Sequence, residues 1–161
     1  MWTAFAASVG GAAAGLTGLT FIVVAVRYDT LAVSEEHRSR AAQTVCMYVT
    51  LTVGALLVTV PQPVRVLGGE MTVVALLSAV LLWLLETSAR HEQAKRPSIT
   101  LRIGLPLFIT SIMANGVVLL LGEDGGLYFF VAGAAIGLVL GVTGAWTFLT
   151  RAGLDPSMTK S

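Results

Sequence analysis

Charged residues are scarce in this chain. They make up 12% of its 161 residues, whereas a soluble globular protein carries roughly 25%. Residues of the hydrophobic class account for 55%, and the mean hydropathy is +0.83. This composition excludes an ordinary soluble domain, and the net charge of +1 gives no reason to expect a nucleic-acid partner. We expect one transmembrane domain over residues 1–161.

Side chains with metal-binding, redox or nucleophilic chemistry are also few. Cys46 is the single cysteine, which excludes an intramolecular disulfide, a CxxC redox pair and a cysteine zinc site. The two histidines, His37 and His91, fall between apolar runs, where they cannot ligate an intramembrane haem. No G-x-S-x-G, Walker-type or Rossmann motif occurs. We therefore expect no enzyme activity, no catalytic residue, no metal site and no cofactor.

Ionisable residues are missing from the middle of every apolar run, where they would be candidates for proton or ion coupling. Glu70 and Glu86 come closest, at the two ends of one run. Glu70 is expected at a helix start, where the macrodipole favours a carboxylate. Glu86 is expected to pair with Arg90, four residues later on the same helix. Both carboxylates are interpreted as structural.

What the chain has instead is a series of long apolar runs separated by short polar segments. Runs of about 20 apolar residues are typical of helices that cross a bilayer. Pairs of helix-breaking residues separate some of them, among them Pro61 with Pro63 and Gly68 with Gly69. The predicted fold is an all-α, polytopic transmembrane bundle with five spans, at about residues 2–26, 42–60, 70–88, 103–121 and 127–150.

The distribution of Lys and Arg predicts the orientation of the spans, because short basic loops stay on the cytoplasmic side. With the N-terminus outside, nine of the ten Lys and Arg residues fall on the cytoplasmic side and only Arg65 falls outside. We therefore expect an N-out, C-in protein whose basic side attracts anionic lipid headgroups. On that side, residues Leu31 to Gln43 are expected to form a short surface helix starting near Ser34, or a solvated loop.

Glycines recur at helical spacing in the first and last spans. Such stripes let helix backbones approach closely, so that dispersion and weak CH to O contacts hold the helices together. Two arrangements remain open. The two stripes pack against each other within one chain, which the general abundance of glycine in membrane helices favours, or one stripe faces a second copy or another protein. The predicted helix-packing residues are Gly11, Gly15 and Gly18, with Ala7, in the first span, and Gly133, Gly137, Gly141 and Gly144 in the last.

The polar side chains within the spans are mostly hydroxyls. Asn115 in the fourth span is the exception, and Thr110 and Ser111 lie close to it in sequence. The expected role of Asn115 is an interhelical hydrogen bond. In the alternative, the three residues line the pore of a homo-oligomeric channel for small ions. The sequence favours a non-catalytic subunit that self-associates or docks on a larger membrane protein, with the channel as the second hypothesis.

Three segments carry a resemblance to a known group of proteins. They are GLTGLTFIVVAVRYDTLA at the first span, VPQP after the second and GLYFF at the start of the last. In these segments the chain resembles a set of short bacterial multi-pass membrane proteins without an assigned function. The resemblance supplies no catalytic residue. It implies that the protein resides in a bacterial plasma (inner) membrane.

Overall fold

The computed structural model describes residues 2–26, 35–91 and 99–151. Within these ranges the chain forms five α-helices, and each contains a stretch of 18 to 24 residues that is long and apolar enough to cross a membrane. The predicted all-helical fold with five spans is confirmed for the described residues. The helices are α1 (Trp2–Val26), α2 (Glu35–Thr59), α3 (Val64–His91), α4 (Ile99–Leu120) and α5 (Gly126–Arg151).

Four of the helices form a closed ring, and α1 lies outside it. Helices α2, α3, α4 and α5 each pack on the next one along the chain, and α5 returns to pack on α2. Helix α1 packs on α2 and makes only a light contact with α5. As a result, 17% of the apolar stretch of α1 is buried within the chain, against 33–44% for the other four helices. Helix α1 therefore has the largest share of its surface available to lipid or to another protein.

Large side chains fill the core of the ring. The largest fully buried ones include Tyr48 and Leu51 from α2, Met71 and Leu82 from α3, Phe108 from α4 and Phe130 from α5. The outward faces of α3, α4 and α5 also carry large apolar side chains, which suits contact with lipid tails. Examples are Leu77, Val80, Leu81 and Trp83 on α3, Ile103 and Leu107 on α4, and Val139 and Val142 on α5.

The start of α3 differs from the sequence-based expectation. The helix begins at Val64, directly after Pro63, so Gly68 and Gly69 lie inside it and do not break it. A β-carbon at Gly68 would overlap the backbone of Leu119 and Leu120 on α4, so close helix packing explains this glycine. Glu70 consequently lies in the second turn rather than at the helix start.

The start of α2 also differs. The helix begins at Glu35 and runs without interruption into the second span, so the described part of the expected surface helix or loop is the first turns of α2. Leu31 to Ser34 lie outside the described residues. The continuous helix carries Arg40 and Gln43 into contact with α3, which a separate surface helix would not do.

The connection between α4 and α5 depends on a glycine that the sequence pattern did not single out. Gly122 has a φ of +93°, a conformation that residues with a β-carbon rarely adopt. Its N–H donates to the carbonyl of Leu119 at 2.9 Å, and the N–H of Glu123 donates to the carbonyl of Val118 at 3.2 Å. These two bonds form a Schellman motif that ends α4. The turn that follows leads directly into α5 at Gly126.

Candidate helix-contact site

The glycine stripe of α5 lies inside the ring. A β-carbon at Gly133 would lie 2.6 Å from Cδ1 of Ile112, and one at Gly137 would lie 2.7 Å from Cε2 of Phe108. A β-carbon at Gly141 would overlap the ring of Tyr48 on α2. At Gly144 the contact is looser, 3.3 Å from Oγ1 of Thr44. The α5 stripe therefore packs against α4 and α2 within the chain.

The glycine stripe of α1 faces away from the rest of the chain. Gly11, Gly15 and Gly18 are exposed, and a β-carbon at any of them would meet nothing within 4 Å. The opposite face of α1 does the packing, through buried Ala6, Val9 and Ala13, and through Gly10. The two stripes therefore do not meet, contrary to the arrangement that the sequence favoured. The outward α1 stripe is defined here as Gly11, Gly15 and Gly18.

Aromatic rings make the contact between α1 and α5 instead. The rings of Trp2 and Tyr128 lie edge to face with centroids 5.1 Å apart, and Phe5 meets Phe130 in the same way at 6.4 Å. Edge-to-face pairs of this kind are favoured by the quadrupoles of the rings. These aromatic pairs hold the start of α1 in contact with the start of α5, and they do not cover the outward α1 stripe.

Sequence reasoning missed the glycines that bring α3 and α4 together. Gly68 on α3 packs on the backbone of α4, and a β-carbon at Gly116 of α4 would lie 2.6 Å from Oγ1 of Thr72 and 2.7 Å from its backbone nitrogen. These glycines stand singly or as a Gly-Gly pair and form no helical stripe. The only sequence signal available was a glycine in or beside an apolar run, which does not indicate the neighbouring helix.

Polar contacts join α2 and the turn that follows it to α3 at three levels. Nη1 of Arg40 and Nε2 of Gln43 both donate to Oε2 of Glu86, at 2.8 and 3.0 Å. The hydroxyls of Thr50 and Ser78 share a buried hydrogen bond of 2.7 Å. At the far end, Nε2 of Gln62 donates to Oε2 of Glu70 at 2.8 Å. On α3 these positions, 70, 78 and 86, lie eight residues apart, which spaces the three contacts by about 12 Å each along the helix axis.

Glu86 pairs with a residue of another helix that the sequence did not suggest. The side chains of Arg40 and Glu86 are each 16% exposed and form an ion pair between two helices. The expected partner, Arg90, has a side chain outside the described residues, so the pair between Glu86 and Arg90 stays a prediction. An arginine 46 residues away carries no local sequence signal that would identify it as the partner.

The three candidate pore residues of α4 do not share one surface. Thr110 is exposed on the outside of the bundle, and Ser111 is half-buried beside Gly133 of α5. Asn115 is fully buried, and neither atom of its amide has a hydrogen-bond partner. The expected interhelical hydrogen bond of Asn115 is therefore wrong. A channel lined by all three residues would need them to face one aqueous path.

Comparisons with known proteins add no assignment. No family model matches the chain, and no curated protein or solved structure matches it. Function has to be inferred from the contacts of the chain itself. Those contacts consist of closely packed helices, one outward stripe of glycines and a small number of interhelical polar contacts.

Proposed function

We propose that this protein is a non-catalytic membrane subunit that acts through helix contacts, and that the outward α1 stripe is its contact surface. The single observation that carries the proposal is the open space over Gly11, Gly15 and Gly18. A helix face of this kind lets a second helix approach until the two backbones are in van der Waals contact. Nothing in the described part of this chain occupies that space.

The composition of the outward surfaces supports this choice of face. The outward side of α3 presents large side chains such as Leu77 and Leu81, which fit between lipid tails. The first four turns of α1 instead expose small residues, with Ala4, Ala7 and Ser8 around the three glycines. Large outward side chains return only from Leu19 onward. This contrast is typical of a helix interface rather than of a lipid-facing surface.

The second glycine stripe is not available to another molecule, because it is used within the chain. Gly133, Gly137 and Gly141 lie against side chains of α4 and α2. A partner could reach them only by displacing Phe108 or Tyr48, which are among the largest buried side chains. The α1 stripe is thus the better candidate for contacts between molecules.

The proposed occupant is the α1 helix of a second copy. Two identical stripes can pack on each other about a two-fold axis, because each presents the same shallow groove. The face carries no charge, and the hydroxyl of Ser8 donates to the carbonyl of Ala4 at 3.0 Å. This face of α1 therefore does not require a partner with charged residues. A foreign membrane protein on the same stripe is the other outcome that the experiment distinguishes.

The orientation and location follow from charge and belong to the same proposal. The protein has its N-terminus outside and its C-terminus inside, in the plasma membrane of a bacterium. The separation of nine Lys and Arg residues from Arg65 supports this orientation, and the three segments that resemble bacterial membrane proteins support the location. The basic side would bind anionic headgroups.

The test is the oligomeric state of the Gly15→Leu variant in gently solubilised membranes, measured by native mass spectrometry. A leucine at this position meets nothing within its own chain, so the variant should fold normally and lose the dimer. The matched control is Ala135→Leu, which places the same side chain on the exposed face of α5 and should leave the dimer intact.

Two results would contradict the proposed dimer. The first is a Gly15→Leu variant that remains as dimeric as the wild type. The second is a wild-type protein that is found only with a different membrane protein, whose binding is lost in Gly15→Leu. That second result would keep the contact surface and replace the second copy with an accessory role.

A further inference from the structure

Exposed aromatic side chains mark both ends of α5. Tyr128 is 67% exposed near the start of the helix, and Trp146 is 68% exposed near its end. The 18 positions between them correspond to about 27 Å along the helix axis. The hydrocarbon core of a bilayer is about 30 Å thick, and Trp and Tyr favour its two boundaries. The spacing of the two rings on α5 therefore matches the thickness of a bilayer.

A second ring lies beside Tyr128, at the end of the bundle that carries the two short turns. The ring of Trp2 at the start of α1 packs edge to face on that of Tyr128. The turn that leads into α5 carries Glu123 and Asp124, and both are exposed. Charged side chains of this kind are excluded from the hydrocarbon. The two rings thus lie at one level, next to residues that belong in the headgroup layer.

Trp83 on α3 lies toward the opposite end of the bundle and is 72% exposed. Its depth follows from the polar contact of the next turn. Glu86, three residues later, accepts from Gln43 on α2 at 3.0 Å, so Trp83 lies about 4.5 Å inside the level of Gln43. Between Glu70 and Glu86, α3 has no ionisable side chain. Trp83 therefore lies where the apolar part of α3 ends.

Trp146 lies at nearly the same depth as Trp83. Oγ1 of Thr44 on α2 is 3.3 Å from the β-carbon position of Gly144, two residues before Trp146. Trp146 is therefore about 3 Å beyond the level of Thr44, and about 1.5 Å beyond that of Gln43. The depths of the two tryptophans differ by about 6 Å. The interfacial layer on one side of a bilayer is about 5–7 Å thick, so both rings fit within it.

We infer that the lipid interface holds this protein at a fixed depth through two aromatic levels, Trp2 with Tyr128 at one surface and Trp83 with Trp146 at the other. Each ring has an apolar body that contacts lipid chains and a polar N–H or O–H that reaches the headgroup layer. The apolar layer that the protein fits is about 27 Å thick. Glu86, one turn beyond Trp83, consequently lies at headgroup level. The inference does not rest on the proposed α1 contact.

Depth-dependent fluorescence quenching by brominated phospholipids tests this placement in the full protein. Single-tryptophan variants retain Trp83 or Trp146, and phenylalanine replaces the other tryptophans so that each position keeps an aromatic ring. The matched control is Val139→Trp in the tryptophan-free protein. Val139 is 63% exposed and lies seven residues before Trp146, hence on the same face of α5 and about 10 Å deeper.

We expect bromine near the headgroup to quench Trp83 and Trp146 several-fold more than bromine near the chain end, and the reverse order for Val139→Trp. Equal depth profiles for Trp146 and Val139→Trp would overturn the inference. So would the absence of quenching at either native tryptophan, because another protein, and not lipid, would then cover that ring.

The wild-type protein provides a second measurement if the phenylalanine variants do not fold. Its unfolding temperature should be higher in dioleoyl than in dierucoyl phosphatidylcholine bilayers, because the longer chains of the second lipid exceed the apolar layer of the protein. An unfolding temperature that is equal or higher in the thicker bilayer would contradict the inferred fit.

Discussion

The ring of Tyr48 on α2 packs directly against the backbone of Gly141 on α5, with no space for a β-carbon between them. Both residues are buried, and the ring occupies the place that a side chain at position 141 would take. This contact is one of those that close the four-helix ring, because α2 and α5 are its first and last helices. It explains why a glycine stripe that resembles an interface between molecules is used inside the chain.

The contact between Tyr48 and Gly141 predicts that even a substitution by alanine at position 141 lowers the stability of the protein. Gly141→Ala forces either the Tyr48 ring or the α5 backbone to move, and overpacking of a close contact typically costs about 1–3 kcal/mol of unfolding free energy. Denaturant unfolding in detergent micelles would measure it. Gly15→Ala on α1 is the control, since its β-carbon meets open space and should change the stability little. Equal stability of the two variants would contradict the described packing of α5.

Two adjacent glycines of α3 provide a sharper comparison. A β-carbon at Gly68 would overlap the backbone of Leu119 and Leu120, whereas one at Gly69 would lie 3.9 Å from Cδ1 of Leu120, an ordinary contact. We expect Gly68→Ala to lower the unfolding temperature and Gly69→Ala to leave it nearly unchanged or raise it, because alanine is the better helix former by about 1 kcal/mol. A thermal scan of the two purified variants decides the point. If Gly69→Ala proved the more damaging, the packing of α3 on α4 would have to be revised.

The ion pair between Arg40 and Glu86 should contribute to the packing of α2 on α3. Glu86→Gln removes the charge, while Glu86→Ala also leaves Arg40 and Gln43 without their shared acceptor. Leaving partly buried donors without an acceptor typically lowers the unfolding free energy by about 1–3 kcal/mol. We therefore expect Glu86→Ala to be less stable than Glu86→Gln. A double-mutant cycle with Arg40→Met isolates the pair. A coupling energy near zero would show that the pair does not contribute to holding the helices together.

The proposed orientation predicts which turns are reached from outside the cell. In a Cys46→Ala background, Gln62→Cys in the turn between α2 and α3 and Asp124→Cys in the turn between α4 and α5 should react with a membrane-impermeant thiol reagent added to intact cells. The control is Gln93→Cys, in the basic segment between the third and fourth spans, which should react only after the cells are opened. Labelling of Gln93→Cys in intact cells, with protection of the other two, would reverse the orientation.

Some features of the fold could be read from the sequence because they depend on composition over a whole segment. The five spans needed only long apolar runs, and each described helix contains one. Predictions from local sequence rules were wrong where a contact with another helix determined the structure. The pair Gly68 and Gly69 predicts a helix break, but α3 begins at Val64 and passes through both, since the packing of α4 offsets the poor helix propensity of Gly68.

The sites were harder to predict than the spans, for the same reason. Periodicity shows that Gly11, Gly15 and Gly18 share a face, but it does not show what that face meets. An amide such as Asn115 is expected to find an interhelical partner, yet whether one is within reach depends on the register of the neighbouring helices. That register is set by contacts such as Thr50 with Ser78, between residues 28 positions apart.

The sequence by itself determined that the described part of the chain forms five helices apolar enough to span a membrane, because hydropathy and composition are properties of each segment alone. Only the tertiary structure decided the use of the two glycine stripes, placing that of α5 against Phe108 and Tyr48 and leaving that of α1 open. The physical reason is that two stripes of equal spacing are equally able to accept a close neighbour. Which one is covered depends on how all five helices share the available contacts, and in this ring α1 is the helix left outside.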